Sequence, residues 1–258
     1  MLSFMPDSSV VSDVKPSANF DERRGGREPD MILLHYTGMA TAAAAIERLC
    51  TTGTEVSSHY IVLEDGAVIQ SVKESARAWH AGVSFWAGET DINSRSVGIE
   101  IVNPGHDLGY PDFPLRQIAA VIALCKGIML RRNIVKQRVL GHSDVAPARK
   151  KDPGEKFPWR LLAESGVGHW VEPVPLDRSE QKVLNATGED VLQFQRALSR
   201  YGYNVALTSQ YDTTTLDVVC AFQRHFRPER VDGVADRSTV ATLEHLLAAL
   251  PPETAPAS

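Results

Sequence analysis

Six residues, Met31–Tyr36 (MILLHY), constrain the fold of this chain more than any other stretch. A continuous apolar run of this length, ending on polar groups, suits a buried strand. It would deliver His35 at its end. A helix-forming stretch follows, with Thr41 as N-cap and Ala42–Cys50 behind it. Residues 59–63 and 67–72, joined by the turn Glu64-Asp65-Gly66, predict a hairpin, and residues 96–103 predict a further strand. Leu115–Arg132 carries Ile118, Val121, Ile122, Cys125, Ile128 and Met129 at helical spacing, which predicts an amphipathic helix packed on the sheet. Val139-Leu140-Gly141 then leads into His142. Strands and helices interleaved in this way predict an α/β fold, a mixed β-sheet flanked by helices.

At 258 residues the chain is longer than one usual domain and shorter than three, so two unequal units are expected. Residues 1–30 read as a polar, extended lead-in and residues 31–170 as the main domain. Residues 171–188 hold Pro173 and Pro175 among few apolar side chains, the composition of a linker. Beyond it, residues 190–201, 214–226 and 238–250 each present one apolar face. A small three-helix domain over residues 189–250 buries all three faces, leaving residues 251–258 as a tail.

Charge and cysteine usage exclude several classes. With net charge −5 and no Lys/Arg-rich block, the footprint of a nucleic-acid binder is missing. The longest purely apolar stretch, residues 118–125, is too short to cross a bilayer. The three cysteines, Cys50, Cys125 and Cys220, form no CxxC pair, and each falls in a helix-like apolar stretch, so they are expected as small core residues. Residues 1–30 lack the basic start and apolar centre of a signal peptide, and no cysteine precedes Cys50 to carry a lipid anchor. As read, the chain is expected in the cytoplasm, as a monomer.

The chemistry is concentrated in LLHYTG, which holds His35, and GHSDVAPARKKDPG, which holds His142 and Asp152. Two imidazoles and one carboxylate are the N/O ligand set of a zinc ion that keeps a fourth position for water. That set points to metal-assisted hydrolysis. Glu100 is the single charge inside the apolar strand VGIEIV, where an ionised carboxylate is costly unless something compensates it. Facing water on an edge strand is one reading of Glu100, and a general base for the attacking water is the other. Lys150 and Lys151 precede Asp152. If that segment is extended, side chains alternate, so Lys150 shares the side of Asp152 and Lys151 points away. Lys150 is then the candidate to stabilise an oxyanion. His80 sits beside Trp79 in a loop, a pair that serves packing as often as substrate contact. His59 opens a strand and is expected to be structural, and His106, His169, His225 and His245 are expected in surface or packing roles.

LLHYTG, VSSHYIVLEDG, RAWHAGVS, NSRSVGIEIVN, GHSDVAP and KDPGEKFPW, in this order, resemble the zinc N-acetylmuramoyl-L-alanine amidases of the amidase-2 family over residues 31–159. The resemblance implies one Zn2+ held by His35, His142 and Asp152, with Glu100 as catalytic acid/base and Lys150 as transition-state stabiliser. It implies further that Trp79, His80 and Asn93 contact substrate. Some members carry a cysteine as third ligand; here the position is aspartate. VLQFQRALSRYGY, AFQRHFRP and VDGVADRSTVATL resemble a peptidoglycan-binding domain of the three-helix type.

Together these resemblances imply hydrolysis of the amide between N-acetylmuramic acid, or its anhydro form, and L-alanine in peptidoglycan or muropeptides. The alternative is a protein that recognises muropeptides without cleaving them. The binding module points to the periplasm or cell wall rather than the cytoplasm. Since the catalytic set lies wholly before residue 171, a chain ending there is expected to keep its rate on small substrates.

Overall fold

The computed structural model describes residues 4–176 and 186–251. In chain order the strands are β1 (Asp13–Val14), β2 (Phe20–Glu22), β3 (Met31–Tyr36), β4 (Tyr60–Val62), β5 (Val68–Gln70), β6 (Ala76–Ala78), β7 (Ser96–Ile101) and β8 (Val139–Gly141). The helices are α1 (Ala42–Cys50), α2 (Ile92–Arg95), α3 (Leu115–Arg132), α4 (His142–Val145), α5 (Trp159–Glu164), α6 (Glu189–Tyr201), α7 (Thr213–Phe226) and α8 (Arg237–Ala248). Six strands form one sheet in the order β1-β5-β4-β7-β3-β8. β4 and β5 are the antiparallel hairpin, and every other pairing in this sheet is parallel. The sheet is therefore mixed, and β3 lies inside it because its apolar run tolerates cover on both faces.

Alternation along β3 divides the molecule into layers. Ile32 and Leu34, with Val97, Ile99, Ile101 and Val139, pack against Ile118, Val121, Leu124, Cys125 and Ile128 of α3. On the other face Met31, Leu33 and Leu140 belong to one apolar cluster with Phe194, Leu198, Val218, Phe222, Leu243 and Leu246 of α6, α7 and α8. The three C-terminal helices thus share an apolar cluster with this face of the sheet, and α7 packs on α4. That dependence is invisible to a reading that treats each amphipathic helix as buried against its two neighbours alone.

Two further expectations are revised. The first thirty residues are not a separate lead-in: β1 extends the sheet edge beside β5, and β2 pairs with β6. Arg23 is buried and donates to the carbonyl oxygens of Glu74, Asn93, Ser94 and Ser96. Backbone pairing and a guanidinium fork leave no hydrophobic period in the sequence, so a polar stretch conceals them. Of the cysteines only Cys125 is in the core, while Cys50 and Cys220 are half-buried. Cys50 ends α1, where its thiol meets the carbonyl oxygen of Lys15 at 3.3 Å. The linker expected over residues 171–188 and the tail over 251–258 fall largely outside the described residues.

Candidate active site

Parallel pairing of β3 with β7 sets His35 opposite Glu100, so both project from the sheet face that carries Met31 and Leu33. His142 opens α4 directly after β8, and the amide of Ser143 binds the carbonyl oxygen of Asp152 at 2.9 Å, which brings the returning chain alongside. Three donor atoms then converge. His35 Nδ1 lies 3.0 Å from His142 Nδ1 and 3.0 Å from Asp152 Oδ2, and His142 Nδ1 lies 3.1 Å from the same oxygen. All three side chains are buried.

The outer nitrogens show what occupies the inner ones. His142 Nε2 is 2.9 Å from the carbonyl oxygen of Ala81, which can only accept, so this nitrogen carries a proton and, in the neutral ring, Nδ1 keeps a lone pair. The Ser96 hydroxyl donates to the carbonyl of Ile92, leaving its oxygen to accept from His80 Nε2 at 3.4 Å. His80 Nδ1 therefore accepts from His35 Nε2 at 3.0 Å, and His35 Nδ1 is also left with a lone pair. Two nitrogen lone pairs and a carboxylate oxygen facing one another repel unless a cation lies among them. A tetrahedral ion with bonds of about 2.0–2.1 Å sets its ligands roughly 3.3 Å apart, so the residues fit such an ion.

Electrostatics support the same state. Burial, and next the neighbouring His142, push the His35 imidazole down to about 4, so it is neutral and able to ligate. Burial opposes ionisation of Asp152, but positive charge and N–H donation from His142 and His35 outweigh it and hold the carboxyl well below its ordinary range. With both imidazoles neutral, that compensating charge would have to come from a bound cation. Glu100 is the reverse case: burial first and Asp152 second push it well up, against the pull of Lys150. Its Oε2 is buried with no hydrogen-bond partner among the described residues. A carboxyl with a raised proton affinity and an unpaired oxygen, beside His35 and Asp152, is a candidate for handling protons.

These groups line one cavity of about 590 Å³, together with Lys150 and Lys151. Lys151, expected to point away, lines it as well. The chain before it is α4 and a turn in which the amides of Arg149 and Lys150 both bind the carbonyl of Ala146, so strict alternation does not apply. Sequence reasoning missed Arg48 and His106, which also border the cavity and carry no motif signal.

The expected substrate contacts divide. His80 is buried behind His35, and a Cβ on Gly98 would lie 2.6 Å from its ring, so bare strand backbone is what admits it there. Asn93 is buried too, its Oδ1 accepting from the amides of His80 at 3.0 Å and Ala81 at 2.8 Å. Both residues brace this loop while lining the adjoining groove, and His80 lines the main cavity as well. Trp79 is half-buried, with its indole N–H on Asp21, and borders the same groove as His80, Asn93, His142, Arg149 and Lys150.

Residues 25–155 match the family model described as N-acetylmuramoyl-L-alanine amidase, and residues 187–243 match that of a putative peptidoglycan binding domain. The sequence is 36% identical over 234 residues to the N-acetylmuramoyl-L-alanine amidase AmiD of Escherichia coli, covering 84% of this chain and 82% of that one. Among solved structures, the complex of AmiD from Escherichia coli with the substrate anhydro-N-acetylmuramic acid-L-Ala-D-gamma-Glu-L-Lys superposes with a TM-score of 0.73 at 34% identity, over 88% of this chain and 92% of that one. AmpDh3 from Pseudomonas aeruginosa gives 0.71 at 32% identity, over 96% and 98% of the two chains.

Proposed function

The chain belongs to the family of N-acetylmuramoyl-L-alanine amidases, and we propose that it performs this hydrolysis on muropeptides with one zinc ion held by His35, His142 and Asp152. The observation that carries the reading is the convergence of two imidazole nitrogens and a carboxylate oxygen in a cavity that Glu100 also lines. When bound, zinc supplies Lewis-acid polarisation of the scissile carbonyl and makes water a nucleophile near neutral pH.

The remaining work falls to the protein. Glu100 takes a proton from the attacking water and passes it to the nitrogen of the departing L-alanine, so the amide C–N bond breaks to a carboxylate and an amine. Its unsatisfied Oε2 and its raised affinity for a proton suit both halves of that transfer. Lys150, at the cavity wall, is placed to offset negative charge developing on the carbonyl oxygen. His80 and the Ala81 carbonyl fix the tautomers of the two ligand imidazoles.

A test is to load the full chain with zinc, incubate it with isolated anhydro-muropeptide and with intact sacculi, and identify the products by mass spectrometry. The expected products are a stem peptide with L-alanine at its new amino terminus and, from the anhydro-muropeptide, the free sugar acid or, from sacculi, glycan stripped of peptide, while His142→Ala yields none of these and binds no zinc. Cleavage within the stem peptide would overturn the reading. So would muropeptide recovered intact from a stable complex, the outcome of recognition without catalysis.

A further inference from the structure

We propose that Tyr203 and His225 of the C-terminal domain are positioning residues for the metal-ligand turn, acting through Asp144. The inference rests on the assignment of His142 as a zinc ligand. Asp144 lies in α4, two residues after His142, and its side chain is fully buried. One oxygen accepts from the Tyr203 hydroxyl at 2.7 Å. The other accepts from His225 Nδ1 at 2.7 Å and from the amide of Gly141 at 2.8 Å. Gly141 immediately precedes the ligand, so the carboxylate clamps the peptide that sets where His142 begins.

A four-residue helix cannot hold its own shape, because nucleation fixes several dihedrals for a single hydrogen bond. α4 therefore takes its geometry from what surrounds it. His225 is fixed in turn by stacking on Trp159, with centroids 3.7 Å apart, and on Phe226 at 3.8 Å. Tyr203 is fixed by Trp86 of the catalytic domain, edge-on at 4.9 Å. Beside it the amide of Ala87 binds the carbonyl of Gly202 at 2.8 Å. Gly202 has φ +137°, and any Cβ there would meet the Trp86 ring at 2.5 Å. Backbone, aromatic and charged contacts thus converge on one junction whose far side is the metal ligand.

The experiment compares zinc affinity by chelator competition, thermal midpoint and amidase rate in the full chain for Tyr203→Phe, His225→Leu, His225→Asn and Tyr211→Phe. Tyr211 donates to the carbonyl of Gly233 within the helical domain, away from the junction. Tyr203→Phe and His225→Leu are each expected to weaken zinc binding about 3–10-fold, short of the ~10–100-fold typical of partners bonded directly to a ligand. His225→Asn, which keeps a donor near the Nδ1 position, should restore most of it, and Tyr211→Phe should lower the midpoint with zinc affinity unchanged. If Tyr203→Phe and His225→Leu lower the midpoint while zinc affinity stays at the wild-type value, the positioning role is rejected and the junction is stability alone. Failure of wild type itself to bind zinc would instead reject the metal assignment.

Discussion

Two buried carboxylates, Asp144 on α4 and Glu100 on β7 opposite His35, are treated by the protein in opposite ways. Asp144 has donors on both oxygens, two of them from the C-terminal domain. Glu100 has an oxygen with no partner and resists ionising because burial and Asp152 disfavour its charge. A buried polar group left unsatisfied costs roughly 1–3 kcal/mol, so a fold retains one where something other than stability requires it. In the proposed mechanism the satisfied carboxylate braces the site and the unsatisfied one handles the proton.

Removing the C-terminal helices should break that contrast most severely. A chain ending at Val171 uncovers Met31, Leu33, Trp86, Leu140 and Val145 and strips Asp144 of two donors. Re-exposing five such side chains at about 1.5–3 kcal/mol each costs on the order of 8–15 kcal/mol, against a total stability of about 5–15 kcal/mol for an ordinary domain. The truncated chain should therefore show no cooperative unfolding transition by calorimetry and no turnover of small muropeptides, contrary to the separability that motif positions suggest. A folded fragment with wild-type rate would show that the two domains are independent after all.

Substituting the two carboxylates should then give opposite signs. Glu100→Gln is expected to lose about 10²–10⁴-fold in kcat, because an amide cannot exchange a proton at neutral pH, with zinc content unchanged. In the metal-free protein it should raise the thermal midpoint. Between the ordinary carboxyl value near 4.5 and the raised folded value, the unfolded chain ionises while the folded one stays protonated, so wild-type stability falls as pH rises through that window. The gap between wild type and Glu100→Gln should widen over the same window and close in acid. Asp144→Ala, which leaves three buried donors unpaired, should cost roughly 3 kcal/mol or more. Equal destabilisation by both variants would remove the distinction between reactive and bracing carboxylates.

How much of this was legible in the sequence depends on the kind of signal each part leaves. β3, the β4–β5 hairpin, α3 and the three C-terminal helices announce themselves by period, and their bounds agree with expectation to within a few residues. His35 and Glu100 could be placed at a site because a polar residue in an apolar strand is conspicuous. That they stand side by side depends on register, which no local pattern encodes. The pairing of β1 and β2, the Arg23 fork and the Ala81 carbonyl are backbone matters, open to almost any side chain. Asp144 lay in a quoted motif, but its donors come from 59 and 81 residues away in sequence, beyond any spacing argument.

The pocket side can be sharpened further. Lys150→Ala should lower kcat about 10²–10³-fold, the usual consequence of losing one group that stabilises developing negative charge, while zinc content and thermal midpoint stay at wild-type values. Lys151→Ala, whose side chain is exposed at the same cavity, serves as the matched control and should change the rate by less than Lys150→Ala. Equal effects would mean that the cavity needs positive charge generally and that Lys150 has no privileged position.

A smaller effect than at Glu100 or Lys150 is expected at His80, where two roles make separable forecasts. Its Nδ1 accepts from His35 Nε2, and its own Nε2 is anchored by Ser96, so its part is to keep the His35 lone pair turned inward. His80→Leu should then weaken zinc affinity about 10–100-fold, as loss of a partner bonded to a ligand does, and the rate should recover at saturating zinc with KM unchanged. A residue that contacted muropeptide directly would instead raise KM and leave zinc affinity alone. Because the ring is buried behind His35 and packed on the bare backbone of Gly98, the first pattern is expected. Chelator competition and a zinc-titrated KM measurement on the same preparation distinguish the two.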